Sequence, residues 1–170
     1  VKHNDAYTVW VSFSGYNGAG VYKTSDGGNT WEDISEGLPN IPVNCVVQNI
    51  YQPIEQIYAA TDYGVYIKNG SDPWTLYSNN LPNTHVRELD IYYDEANLEN
   101  SKIRAGTYGR GLWQSPLELS GNYAPFVKTK DVLNITTNSA EIKGRITNDF
   151  GSTVTESGIV YSLNSNPHIG

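Results

Sequence analysis

The sequence has no methionine, a single cysteine and few charges: of 170 residues, only 17% are Asp, Glu, Lys or Arg. With Cys45 alone, no disulfide can form within the chain, so cysteine usage leaves the redox compartment open. Cys45 sits among Val43, Val46 and Val47 and reads as a small core residue rather than a reactive thiol. Lys and Arg number 11 against 18 Asp and Glu, a net charge of −7. Without a basic cluster to meet phosphates, nucleic acid is not expected as a partner. No apolar run approaches the ~20 residues of a membrane-crossing helix, so no membrane span is expected. His3, His85 and His168 lack metal-ligand spacing, and no metal or other cofactor is expected. Nothing resembles a nucleophile elbow or a phosphate loop, and no catalytic residue is assigned. The start at Val1 and the end at Gly170, in mid-pattern, read as cuts in a longer chain whose targeting information is missing.

What the chain does have is aromatic residues and turn formers: 13 Tyr, 4 Trp, 3 Phe and 16 Gly. They are arranged in repeats. Gly20-Val21-Tyr22 returns as Gly64-Val65-Tyr66, Thr30-Trp31 as Pro73-Trp74, and Leu38-Pro39-Asn40 as Leu81-Pro82-Asn83. A third, partial copy matches Gln56–Thr61 with Lys102–Thr107 and places Gly111-Leu112-Trp113 at the GlyValTyr position. The segments are short, rich in Val, Ile, Tyr, Thr and Trp, and bounded by Gly, Asn, Asp and Pro, so they read as strands. A period of ~40–45 residues holding four strands is that of a propeller blade.

In blade order A to D, the sequence predicts strands B, C and D at 6–14, 20–24 and 30–35. A full set follows at 43–51, 56–61, 64–68 and 73–78, then A, B and C at 85–93, 102–107 and 111–117. The fold class is therefore all-β: a fragment of about two and a half blades over 1–119, of a ring expected to have about seven. Both ends of the set are open, so the ring needs its remaining blades, and a strand from elsewhere would supply the missing D. Such a fragment is expected to be poorly soluble or oligomeric alone. Residues 120–124 read as a linker. Over 125–170, the alternation of Ala140, Ile142, Gly144 and Ile146 with charged residues, together with strands near 126–132 and at Gly158–Tyr161, suggests a truncated Ig- or fibronectin III-like β-sandwich.

Thr24-Ser25-Asp26-Gly27-Gly28-Asn29-Thr30-Trp31 fits Ser/Thr-x-Asp-x-Gly-x-Thr-Trp and resembles the Asp box, or bacterial neuraminidase (BNR) repeat. Thr24, Asp26, Gly28, Thr30 and Trp31 are then structural: Asp26 accepts backbone N–H groups, Gly28 supplies a left-handed conformation, and Trp31 packs under the loop. The second copy, Lys68 to Trp74, lacks the Asp, so that turn must be held differently.

The opposite end of each blade carries the B–C and D–A loops. Tyr16, Tyr63 and Tyr108 stand there, one per copy, beside Asn17, Asp62 and Arg110. Rings with amide, carboxylate and guanidinium neighbours suit sugars, and Tyr16, Tyr63, Tyr108, Asp62 and Arg110 are the ligand-binding candidates. Packing of each Tyr into its own turn would give the same repetition and is the favoured reading. Glu88 and Asp90, two apart on a strand, share a face as glycosidase carboxylates do, but same-face carboxylates more often bond neighbouring-strand groups such as Lys102 and Arg104.

Residues 6–117 resemble the closing blades of Asp-box propellers in the sialidase, xyloglucanase and sortilin-like group. Val86–Tyr93 followed by Arg104–Trp113 looks like the last blade of large secreted proteins of polysaccharide-degrading bacteria. Residues 125–170 resemble a fibronectin type III-like module, through Ile135–Ala140 and Gly151–Gly158. The resemblance implies a secreted or cell-surface multidomain protein. The catalytic sets of the sialidases and xyloglucanases do not transfer to Arg87, Arg104, Arg110 or any Asp here. The expected function is a non-catalytic, scaffolding propeller that binds polysaccharide, glycoprotein or protein. The alternative is the C-terminal part of a glycoside hydrolase whose catalytic residues lie upstream.

Overall fold

The computed structural model describes residues 1–118 apart from 19, 53, 79 and 96, together with 126–149 and 153–159. The protein is all-β, and among the described residues there is one 3-10 turn, at Leu98–Asn100. The chain divides into two compact units, residues 1–94 with 99–119 and residues 95–98 with 120–170.

The larger unit holds three antiparallel sheets, none closed on itself. The first is β1 (Val9–Phe13), β2 (Gly20–Thr24) and β3 (Glu32–Asp33). The second is β4 (Val43–Asn49), β5 (Gln56–Thr61), β6 (Gly64–Asn69) and β7 (Thr75–Leu76). The third is β8 (Val86–Tyr92), β9 (Lys102–Thr107) and β10 (Leu112–Pro116). The strands stand where the repeat puts them: β2, β5 and β9 keep their expected bounds, β6 runs one residue further, and the others are trimmed at their ends. β3 and β7 shrink to two residues because each makes only two register pairs with its neighbour.

The register is the same from sheet to sheet. Tyr22 opposes Val11 and Tyr66 opposes Ala59, while Gly20 opposes Phe13 and Gly64 opposes Thr61. The glycine opening each GlyValTyr is required by contact. A Cβ on Gly20 would lie 2.3 Å from the Ser35 hydroxyl, and one on Gly64 would lie 2.4 Å from that of Ser78. Those hydroxyls accept the N–H groups of Val21 and Val65 at 3.0 and 3.2 Å.

The sheets stack face to face, with β4 lying against β1 on one side and β8 on the other. Between the first two sheets, Val21, Ile34, Val43, Ile57, Ala59 and Trp74 form one core, with Trp10, Leu38, Val46 and Tyr66 packed onto it. Between the second and third, Tyr58, Ala60, Val65, Ile67, Leu89, Ile103 and Ala105 form another. Alternation explains this. Ile57 and Ala59 face one neighbour, and Tyr58 and Ala60 the other, so all six residues of β5 are buried.

The two outer faces differ. Val11, Phe13, Tyr22 and Trp31 line an apolar groove of about 520 Å³ on the first sheet. The outer face of the third carries Glu88, Asp90 and the Arg104 guanidinium, which stands 5.0 Å from the Tyr92 ring centre.

In the smaller unit, β11 (Phe126–Leu133) pairs antiparallel with β12 (Glu141–Asn148), with two irregularities in the register. Among the described residues this is a two-stranded ribbon. Gly158 and Ile159 are in no strand, and Val160, Tyr161, His168 and the linker expected at 120–124 fall outside the described residues.

Candidate functional site

The loops joining β1 to β2, β5 to β6 and β9 to β10 carry Tyr16, Asp62 with Tyr63, and Tyr108. The first two loops meet directly, because the Tyr16 hydroxyl donates to Asp62 Oδ2 at 2.9 Å. The other carboxylate oxygen takes Asn44 Nδ2 at 3.0 Å and lies 3.3 Å from His85 Nε2, an ion pair when the imidazole is protonated. Asn44 also donates to the Val86 carbonyl, tying the start of β4 to the start of β8. The His85 ring lies 6.1 Å from that of Tyr108, tilted by 38°, and the His85 carbonyl accepts the Tyr108 N–H. Asp62 thus joins loops of all three sheets in the line Tyr16–Asp62–His85–Tyr108.

Only the hub is sheltered. The Asp62 side chain is 18% exposed and that of His85 38%, whereas Tyr16, Tyr63 and Tyr108 are 65%, 57% and 71% exposed. The expectation that each tyrosine packs into its own turn is therefore not met: all three rings face solvent. The Asp62 hydrogen bond and its negative charge raise the Tyr16 pKa, which keeps the phenol protonated and donating. Tyr63 is anchored by its N–H to Thr61 Oγ1 at 3.1 Å. Arg110 is exposed, and its carbonyl accepts the Trp113 indole N–H at 2.9 Å; among the described residues its guanidinium makes no ion pair.

Asn44 and His85 were not among the sequence candidates for this site. His85 was set aside for want of metal-ligand spacing. Its place at the start of a predicted A strand, where a D–A loop shares the end of the blade with the B–C loops, was the available signal. Among the described residues no group of His, Cys, Asp and Glu is placed to hold a metal ion. Among the described residues no helix is long and apolar enough to cross a membrane.

The 24–31 turn is a second, self-contained constellation. Asp26 Oδ1 accepts the Thr30 N–H at 2.9 Å and the Thr24 hydroxyl at 2.7 Å, and Oδ2 accepts the Thr30 hydroxyl at 2.7 Å. Thr24 Oγ1 accepts the Gly28 N–H at 2.9 Å. These donors, the Thr30 backbone foremost, lower the Asp26 pKa to about 2. Gly28 has φ 97°, and the Trp31 indole donates to its carbonyl at 3.2 Å. Every oxygen of Asp26 is engaged inside its own loop, which is the bonding of a turn former.

Glu88 and Asp90 are exposed on β8, in register with Gly106 and Arg104, in mid-strand rather than at the loop cluster. Cys45 is part-buried against the second core, and desolvation raises its thiol pKa. No protein-family model, curated protein or solved structure matches the chain.

Proposed function

We propose that the three sheets are consecutive blades of an Asp-box propeller in a secreted or cell-surface protein, and that its loop end binds glycan without acting on it. The observation that carries the binding reading is the line Tyr16–Asp62–His85–Tyr108: two exposed rings, Tyr16 bonded to the sheltered Asp62 carboxylate and Tyr108 set beside the His85 imidazole that faces the same carboxylate. Rings stack on the apolar faces of sugars, and carboxylate, amide and imidazole groups bond hydroxyls. Hydrolysis of a glycoside calls for two carboxylates about 5–10 Å apart. Asp62 is committed to three partners, and its effect on Tyr16 is to hold the phenol proton rather than to make a nucleophile. The ring reading rests on the repeat and its register over the three sheets, and that of a sandwich-like module rests on the alternation of Ala140, Ile142, Gly144 and Ile146 with charged residues and on the β11–β12 pair.

The test is retention of the 170-residue chain on immobilised polysaccharides and glycoproteins. Retention is expected to fall about tenfold in Tyr108→Ala and in Tyr63→Ala, and less in Asp62→Asn, which keeps the shape of the hub. If no glycan retains the chain, or if the triple change of Tyr16, Tyr63 and Tyr108 to Ala retains as well as the parent, the binding reading fails.

A further inference from the structure

The chain carries the turn dipeptide Asn-Gly twice, at Asn17-Gly18 and at Asn69-Gly70. The same dipeptide is the most reactive setting for an asparagine amide. Glycine has no side chain to crowd its nitrogen, which can therefore reach the side-chain carbonyl of the residue before it. The fold treats the two copies in opposite ways. Asn69 ends β6 with both reacting groups engaged. Its Oδ1 accepts Gln56 Nε2 at 2.9 Å, in a row of amides that runs on to the buried Asn49. The Gly70 N–H donates to the Glu55 carbonyl at 2.6 Å. Reaction there must first break both bonds.

Asn17 is the reverse case. It stands exposed in the loop between β1 and β2, and among the described residues neither its amide nor the Gly18 N–H makes a hydrogen bond. Gly18 has φ 82°, and a Cβ there would meet nothing within 4 Å, so no neighbour hinders a ring closing over it. Other exposed asparagines lack one of these features. Asn29 Nδ2 donates to the Asp26 carbonyl at 2.7 Å. Asn134 Nδ2 donates to Glu141 at 2.8 Å, and the branched side chain of Ile135 follows it.

We infer that Asn17 is a site of spontaneous deamidation in the folded protein, and that its conversion releases Tyr16 from Asp62. The Gly18 nitrogen attacks Asn17 Cγ, the Cγ–Nδ2 bond breaks, and ammonia leaves with the proton of the Gly18 nitrogen. Water then opens the succinimide at either carbonyl, giving aspartate or isoaspartate. Either product puts a negative charge next in the chain to Tyr16, whose hydroxyl is bonded to the Asp62 carboxylate at 2.9 Å. Isoaspartate also adds a methylene to the main chain at that point. Among the described residues the bond to Asp62 is the only hydrogen bond of the Tyr16 side chain, and Tyr16 is 65% exposed. Little else keeps the ring in place. The inference depends on neither the propeller ring nor the glycan reading.

The experiment is to age the 170-residue chain at mildly alkaline pH, folded and in concentrated urea, and to follow both dipeptides by peptide mass spectrometry. In the folded chain Asn17 is expected to convert at least about tenfold faster than Asn69, whose bonds must open first, and in urea the two rates should converge. Asn17→Gln, a change at an exposed position, should stay intact there, because its longer side chain closes the ring poorly. By NMR of the folded chain, the side-chain amide of Asn44, which shares the Asp62 carboxylate with Tyr16, should move in step with loss of the Asn17 amide signal. Equal rates in the folded chain, or a tenfold gap that persists in urea, overturns the inference, because the fold would not be what selects the site. So does an Asn44 signal that stays in place while Asn17 converts, because Tyr16 would still be bound.

Discussion

The turns that end at Trp31 and Trp74 occupy the same place in successive copies of the repeat but are held by different chemistry. The first is closed by Asp26 from within, and its tryptophan is 45% exposed. In the second, the Lys68 ammonium donates to the Asp72 carbonyl at 2.5 Å, and the tryptophan is buried against the preceding sheet with its indole bonded to Ile34. One bond is common to both: Gly27 and Gly70 donate their N–H to the carbonyls of Tyr7 and Glu55, each just before the sheet's first or second strand. The lesson is one of support. A turn whose tryptophan lies under a neighbouring sheet is held from outside and tolerates loss of the carboxylate, whereas a turn without that neighbour depends on its own side chains.

The sharpest way to break the comparison is to remove each tryptophan in turn. Trp74→Ala is expected to lower stability by about 3–5 kcal/mol, in line with loss of a fully buried indole. Trp31→Ala should lower it by less than about 1 kcal/mol, as at an exposed site. Urea unfolding of the two variants measures both, and equal losses would show that the neighbouring sheet is not what holds the second turn. Next come the glycines. Gly64→Ala meets Ser78 at a φ of 117° and is expected to cost about 2–3 kcal/mol, whereas Gly111→Ala, at φ 76° over open space, carries only the backbone cost of about 1–2 kcal/mol. Adding Ser78→Gly should recover part of the first loss and none of the second.

A smaller effect is expected from Lys68→Met, which keeps the buried stem and deletes one charge-assisted bond, a loss of about 1–2 kcal/mol by thermal unfolding. Smallest is the titration of Asp26, whose turn is open to solvent. Its folded pKa of about 2 lies below the ordinary aspartate value of 3.8, so its contribution to stability is fully present above about pH 4 and is lost as pH falls through about 2. Comparing Tm at pH 5 and pH 2.5, Asp26→Asn should show less acid destabilisation than the parent. An unchanged acid sensitivity would mean that the carboxylate does not stabilise the turn.

What could be read from the sequence follows from how local each feature is. Strands β2, β5 and β9 stand at their expected bounds because alternation and flanking Gly, Asn and Asp are properties of consecutive residues. The geometry of the 24–31 turn was also legible, since every bond of Asp26 is made within four residues. The Asp62 hub was not, apart from Asp62 and the tyrosines themselves. Its bonds to Tyr16, Asn44 and His85 join residues that meet only when three sheets stack. The exposure of the loop tyrosines was missed for the opposite reason. Repetition says that a position matters, but not whether the next sheet reaches far enough to cover it.

Where the chain leaves the third sheet it is fastened to the second. Leu117 is buried, Tyr77 donates to the Pro116 carbonyl, Tyr58 accepts the Glu118 N–H, and Gln52 donates to the Glu118 carbonyl. Tyr58 in turn donates to Gln56, which is itself bonded to Asn49 and Asn69. In mechanical terms this is a cleat. Tension applied beyond residue 118 is delivered first to Tyr58, Tyr77 and Gln52 of the second sheet and its loops, so these bonds and the burial of Leu117 must give way before β10 can unzip from its edge.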